Sequence, residues 1–264
     1  MARIRLDDEL VRQGLCRDRA EALRNLMAGD VSAAGERLTS PGHLVHEGLE
    51  LHVRGHIPYV GRGGLKLAGA LDELSLDPAG LTCLDVGCST GGFTDCLLKR
   101  GASSVLAVDV GRAQFDWSLR NDPRVTLLER TNIVDVPALG YGGLDLAVCD
   151  VSFTSVMTVL PAVLSLLAPD GRLLTLVKPQ FEAKAAEVGS GGVVRAPAVW
   201  ERVLVRTAAA FDEAGLKPVG ICASPITGAK GNHEFFLLGT RGTPAAPLVR
   251  EADIHELIER VRAR

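Results

Sequence analysis

The sequence predicts an α/β chain: a mostly parallel sheet with helices on both faces and an antiparallel last strand, preceded by a small α+β module. Three observations carry this. From about residue 81 onward, apolar strand patterns alternate with helical ones. The strands, such as Leu144-Asp-Leu-Ala-Val-Cys149, are nearly continuous apolar runs, as expected of strands covered on both faces. The first of them, ending at Leu84-Asp85-Val86, runs straight into a glycine-rich turn and then a helix. A length of 264 residues, 47% hydrophobic and 23% charged, suits one large domain plus a small one. It excludes a disordered chain, a collagen and a coiled coil. With aromatics at 4%, the core must be built from Leu, Val and Ala.

Residues 1–56 read as the small module. Leu6, Leu10 and Val11 share one helical face, and Gly14 stops that helix. Asp18 caps a second helix with Glu21 at the capping-box position; Ala20, Leu23 and Met27 follow at helical spacing, and Gly29-Asp30 ends it. Short β pieces follow at Val31–Ala33 and Glu36–Leu38 around a turn at Ala34-Gly35, and Leu49–Val53 alternates as a closing strand. Residues 57–63, rich in Pro and Gly, read as a linker. The large domain, 64–264, opens with a helix from Leu65 to about Leu74. Strands are expected at 81–86, 104–109, 125–129, 144–149 and 171–177, with helices at 92–100, 155–168 and 198–214. Two further strands, near 217–223 and 234–239, are joined without a helix and so form an antiparallel hairpin; residues 250–262 make a terminal amphipathic helix.

Several function classes recede on composition. The longest nearly apolar stretch, Met157–Ala168, is far short of the roughly 20 residues a membrane span needs. The first eight residues hold no apolar core for a signal peptide, so a cytoplasmic protein with no membrane partner is expected. Cys16, Cys83, Cys88, Cys96, Cys149 and Cys222 form no C-x-x-C pair and read as small buried hydrophobes. His43, His46, His52 and His56 cluster without a nearby cysteine and read as solvated loop residues, so no metal is expected. The net charge is −3, but unevenly spread: residues 1–66 hold ten Arg/Lys against nine Asp/Glu, the remainder 19 against 23. Arg3, Arg5, Arg12, Arg17, Arg19 and Arg24 fall in the first 24 residues and could track phosphates as a basic stripe; the plainer alternative is a helix pair with solvated charges.

The order Arg5-Leu6-Asp7, Leu10-Val11, Gly14-Leu15, Arg17, Arg19-Ala20, Gly29-Asp30-Val31 and Pro41-Gly42 resembles the S-four-like RNA-binding module of ribosomal proteins and RNA enzymes. That resemblance implies RNA binding through the six arginines.

The turn Gly87-Cys88-Ser89-Thr90-Gly91-Gly92-Phe93-Thr94 is the strongest local signal. Glycines let the backbone approach a ligand, and the helix start offers free N–H groups. The spacing is not the G-x-G-x-x-G of dinucleotide folds. Asp85 before the turn would repel a pyrophosphate but suits the ammonium of a methionine moiety. The turn resembles the first motif of S-adenosylmethionine-dependent methyltransferases, with Asp85, Gly87, Ser89, Thr90, Gly91, Gly92 and Phe93 as cofactor-binding candidates. Asp109, ending the second strand, can accept both ribose hydroxyls, and Asn132 after the third strand can flank the adenine or simply make a turn.

Lys66, Asp150, Lys178 and Glu234 lie just before the sheet or beyond its strand ends, where an open sheet presents its active face. Around a methyltransferase motif they resemble the Lys-Asp-Lys-Glu tetrad of ribose 2′-O-methyltransferases. A ribose hydroxyl must lose its proton as it attacks the methyl group. Lys178 is the candidate general base, Lys66 and Asp150 tune and position it, and Glu234 orients.

Together these segments, with Gly63–Leu67, Trp117–Val125, Leu128–Asn132, Val177–Glu182 and Gly191–Val194, closely resemble the TlyA family along nearly the whole chain. The resemblance implies a Rossmann-like class I methyltransferase domain of the FtsJ type behind the RNA-binding module. It implies methylation of cytidine 2′-hydroxyls in 23S and also 16S ribosomal RNA within ribosomal subunits, and altered susceptibility to capreomycin-type antibiotics. Family members also carry the label haemolysin, so a membrane-active protein is the second hypothesis, but no exposed apolar segment stands out. A nicotinamide-dependent oxidoreductase fits neither the glycine spacing nor the lysine–carboxylate set.

Overall fold

The computed structural model describes residues 3–244 and 246–263. The chain divides between Pro58 and Tyr59 into two compact units. Residues 59–63 therefore belong to the large unit rather than to a linker. The Val60 N–H donates to Asp95 at 2.9 Å, and the Lys99 ammonium sits over the Tyr59 ring.

In the small unit, β1 (Arg3–Arg5) leads directly into α1 (Leu6–Arg12), followed by α2 (Arg19–Ala28), β2 (Val31–Ala33), β3 (Glu36–Arg37), β4 (Leu44–His46) and β5 (His52–Val53). As the sequence indicates, Asp18 caps α2 by accepting from the Glu21 N–H, and Gly29 ends it with left-handed backbone. The pairing of β1 with β4 is not visible in the sequence, because three residues are too few for an alternating pattern to stand out. The closing strand is shorter than expected, pairing with β2 only at His52 and Val53. Leu6, Leu10, Ala22, Leu26, Val31 and Val53 form its core.

The large unit runs α3 (Gly63–Glu73), β6 (Thr82–Val86), α4 (Gly92–Lys99), β7 (Ser104–Asp109), α5 (Trp117–Arg120), β8 (Val125–Glu129), β9 (Leu144–Cys149), α6 (Val156–Leu166), β10 (Leu167–Val177), α7 (Pro179–Glu182), α8 (Pro197–Glu213), β11 (Lys217–Ala223), β12 (Phe235–Thr240) and α9 (Glu251–Arg262). The strand order is β11-β12-β10-β9-β6-β7-β8. β6 to β10 are mutually parallel where they pair. β12 runs antiparallel to both neighbours, inserted between β10 and β11. The expected hairpin is thus present, but its second strand lies inside the sheet.

Side chains alternate across this sheet. Leu84, Leu106, Ala147 and Leu173 join a core with α6, α8 and α9. Cys83, Val105, Leu146 and Leu174 join a second core with α3 and α4. Two covered faces explain why the strands read as unbroken apolar runs. All six cysteines are buried in the cores of the two units, and burial pushes their thiols up, so they pack as neutral apolar groups.

Candidate active site

Backbone strain marks one edge of the sheet. Four non-glycine residues with left-handed backbone occupy successive loops beyond the parallel strands: Ser89 (φ 48°), Ala113 (57°), Arg130 (55°) and Phe153 (62°). Each costs on the order of 1 kcal/mol or more and persists only where its surroundings impose it, which is common at binding sites. The edge is the carboxyl end of the strands, where open sheets bind ligands.

The turn from β6 to α4 is packed tightly. Gly87 has φ 80°, and a Cβ there would stand 2.6 Å from the Asp150 carbonyl oxygen, so the turn lies directly on the loop after β9. A Cβ on Gly91 (φ 94°) would meet Leu119 at 2.5 Å. Asp109 ties this turn to the next: it accepts from the Ser89 N–H at 2.7 Å and the Gly111 N–H at 2.6 Å. Each carboxylate oxygen keeps a free lone pair, so Asp109 is fixed in place as an acceptor for paired hydroxyls. Ser89 and Thr90 are exposed beside it. Asn132 is also exposed, and its Oδ1 accepts from the Val134 N–H, capping a 3-10 turn at Ile133–Leu139. The observed role of Asn132 is thus that of a turn residue. Phe93 needs correction as a ligand-facing side chain. Its ring is 3% exposed and stacks 6.1 Å from Phe236 in the core, because α4 buries that face.

Asp85 shares a sheet face with Cys83 and lies under α4, fully buried. Thr94 donates to its Oδ2 at 2.6 Å, while Oδ1 has no partner. Burial, with the negative charges of Asp150 and Asp109 nearby, pushes its carboxyl up to about 7. An under-satisfied buried acid next to a glycine turn fits a cationic ligand group.

Beyond β10 the tetrad candidates form two ion pairs. The β10–β12 ladder pairs Val177 with Phe235, which sets Lys178 and Glu234 next in register at the mouth. Lys178 Nζ pairs with Asp150 Oδ1 and donates to Ser152 Oγ at 2.8 Å. Lys66, in the first turn of α3, donates to Glu234 Oε2 at 2.6 Å. Gln180 Nε2 reaches Glu234 Oε1 at 3.5 Å, so a neighbour of Lys178 touches the second pair. Lys178 and Glu234 are 8% and 4% exposed. Sequence reasoning missed Ser152 and Gln180. Ser152 had one usable signal, its spacing of two from Asp150, which returns a side chain to the same face on extended backbone.

Gly228 makes room for this arrangement. A Cβ there would lie 2.0 Å from Glu234 Oε1. Gly228→Ala is expected to displace the carboxylate from Lys66, at about 1–3 kcal/mol for such overpacking. Thermal melts should show a fold retained at lower stability, and transferase assays a loss of roughly tenfold or more.

The amino-terminal arginines are less available than their spacing implies. Arg5 and Arg19 both pair with the buried Asp7, at 2.8 and 3.0 Å. Arg12 pairs with the buried Glu9 at 2.6 Å and holds its carboxyl down to about 2. Arg17 pairs with Glu21 at 3.1 Å. Arg3 and Arg24 are exposed and form no ion pair among the described residues. The same residues contain no group of three or more His, Cys, Asp or Glu arranged for a metal ion, and no helix long and apolar enough to cross a membrane.

An antiparallel strand inserted into a parallel sheet, a glycine turn after its first strand and an acidic residue ending its second belong to a class I methyltransferase fold. Residues 59–241 match the FtsJ-like methyltransferase family. A 16S/23S rRNA (cytidine-2′-O)-methyltransferase, TlyA, of Mycobacterium tuberculosis is 46% identical over 89% of this chain and 89% of its own. Hemolysin A of Brachyspira hyodysenteriae is 38% identical over 88% of this chain and 98% of its own. A solved Streptococcus thermophilus chain described as a hemolysin covers 100% of this one and is itself covered to 97%, with TM-score 0.74 and 38% identity. The chain belongs to the FtsJ-like methyltransferase family, in the branch that TlyA represents.

Proposed function

We propose that this chain transfers a methyl group from S-adenosylmethionine to the ribose 2′-hydroxyl of cytidine in ribosomal RNA, 23S and also 16S, as a cytoplasmic enzyme acting on ribosomal subunits. The observation that carries the reading is the buried Lys178 held between Asp150 and Ser152 at the mouth of the glycine turn. The relative named for this activity, matched along most of both chains, supports the substrate. In this reading residues 1–56 are an S-four-like RNA-binding module.

Bound S-adenosylmethionine supplies an electrophilic methyl group on a sulfonium. The chain's own residues do the rest. Asp109 would accept from the ribose hydroxyls of the cofactor, and the exposed Ser89 and Thr90 would hold it at the glycine turn. Asp150 and Ser152 hold Nζ of Lys178; as the free amine it takes the 2′-hydroxyl proton and becomes the ammonium that Asp150 pairs with. Glu234 fixes Lys66 across the mouth. Charge that builds on the acceptor oxygen as its proton leaves is offset by its bond to the sulfonium methyl group, so alignment and exclusion of water are what the site contributes.

Asp85 gives a pH dependence. Its folded carboxyl keeps a proton up to about 7, against about 3.9 in an unfolded chain. Folding therefore takes up a proton between these values, and the stability of the free enzyme falls as pH rises through that window. A cationic ligand favours the ionised form, so S-adenosylmethionine affinity is expected to rise from pH 6 to 8. Titration calorimetry checks this; a slope that survives unchanged in Asp85→Asn would assign it elsewhere.

The test of the function as a whole is mass mapping of methylated nucleotides in both ribosomal RNAs, from cells with and without this protein. Loss of 2′-O-methylcytidine is expected, and identical maps would refute the reading.

A further inference from the structure

We propose that Glu182 is the positioning residue of the reacting pair, clamping the loop that carries Asp150 and Ser152 to the segment that carries Lys178; this rests on the reading of Lys178 as the base. The Glu182 side chain is only 2% exposed. Its Oε1 accepts from the Val156 N–H at 2.7 Å, and its Oε2 accepts from Ser155 Oγ at 2.7 Å. Ser155 is itself the cap of α6, accepting from the Met157 N–H. The carboxylate thus completes the N-terminal cap of a helix in another part of the sequence, where negative charge is favoured.

The chain on either side explains the consequence. Residues 150–155 span from β9 to α6. Their first end is fixed to the sheet by the Asp150 N–H donating to the Val86 carbonyl at 2.9 Å. Their other end is fixed by Glu182. Between them Phe153 is 91% exposed, its ring 5.1 Å from that of Phe181 beside Glu182, while Val151 packs partly buried against the core. Glu182 also shares one tight turn with Lys178, whose carbonyl accepts from the Phe181 N–H at 2.9 Å. From α8, Arg206 donates to the Glu182 carbonyl and lies 3.4 Å from Oε2, which holds the turn from behind. The Lys178–Asp150 pair and the Glu182–Ser155 contact are two ends of one brace. Glu182 touches neither member of the reacting pair; it sets where Lys178 and Asp150 stand, and small misplacements of reacting groups are costly.

Steady-state kinetics of the full chain, with labelled S-adenosylmethionine and 23S rRNA transcripts, test this. Glu182→Ala is expected to lower kcat by roughly 10- to 100-fold with both KM values unchanged. Glu182→Gln keeps an acceptor for the Val156 N–H and offers a donor to Ser155 Oγ, so it should restore most of kcat. If Glu182→Ala does not fold, Ser155→Ala removes one strut and should show the same split at smaller size. Wild-type kcat in these variants overturns the inference. So does a loss carried by a raised S-adenosylmethionine KM that Gln does not rescue. Lys178→Ala run alongside separates the two levels: if it is active, the reading of the base fails; if it is inactive while Glu182→Ala is fully active, only the brace fails.

Discussion

Lys178→Ala is expected to lower methyl transfer to ribosomal RNA by 10²–10⁴-fold, the usual cost of removing a general base, with S-adenosylmethionine affinity nearly unchanged. The two halves of this expectation come from different places in the fold. The groups proposed to hold the cofactor stand at the ends of β6 and β7, where Asp109 is fixed by the Ser89 and Gly111 N–H groups. Lys178 stands beyond β10 and takes no part in that pattern; its partners are Asp150 and Ser152. Lys178→Arg should be equally inactive, because a guanidinium stays protonated and cannot accept the hydroxyl proton. Single-turnover assays with saturating RNA separate chemistry from binding. A Lys178→Ala enzyme with wild-type turnover would move the base elsewhere, and one without cofactor affinity would place Lys178 in the cofactor pocket.

The parts of this architecture that are legible in the sequence are those with a strong period or an unusual composition. Strands at 104–109, 125–129 and 144–149 are bounded as the apolar runs indicate; the centres of the first and third are buried, while the edge strand β8 is only partly so. The glycine turn is legible since few other sequences permit Gly87 to lie on the Asp150 carbonyl. Phe93 departs from its expected place for the opposite reason: adjacency to the turn in sequence says nothing about which face of α4 a ring takes. Ser152 lies in a loop and Gln180 and Glu182 in the single turn of α7, and their partners stand 26 or more residues away. No local pattern encodes such pairings; they exist only once the sheet has brought β9, β10 and β12 side by side. The ion pairs of the arginines are hidden for the same reason. Their spacing suggests a basic stripe, but Asp7 and Glu9 are buried beneath them and claim Arg5, Arg12 and Arg19 as structural counterions.

A chain beginning at Tyr59 is expected to bind S-adenosylmethionine normally and to lose methylation of ribosomal RNA. The large unit matches the methyltransferase family by itself and holds every residue proposed here for cofactor and chemistry, so its binding of a small ligand should survive. Its charge does not favour RNA: from Tyr59 on, 21 Arg/Lys stand against 23 Asp/Glu. Residues 1–58 are no more basic overall, with eight arginines against nine acids, so attraction to phosphate must come from particular exposed side chains. Arg3, Arg24 and Arg37 are exposed and free of ion pairs among the described residues. Replacing these three should weaken RNA binding and flatten its salt dependence, by roughly 0.7–0.9 log units of slope for each phosphate no longer neutralised. Replacing Arg5 and Arg19 should act differently. It strips the buried Asp7 of both arginine partners and leaves it only the Asp8 N–H, at about 1–3 kcal/mol for an under-satisfied buried group, and should appear first as a lower melting temperature of the small unit. Filter binding across a salt series and thermal melts separate the two sets of arginines. A Tyr59 truncation that methylates ribosomal RNA as fast as the full chain would refute the division of labour, and an unchanged salt slope in the Arg3, Arg24 and Arg37 variant would leave these arginines as solvated surface charges.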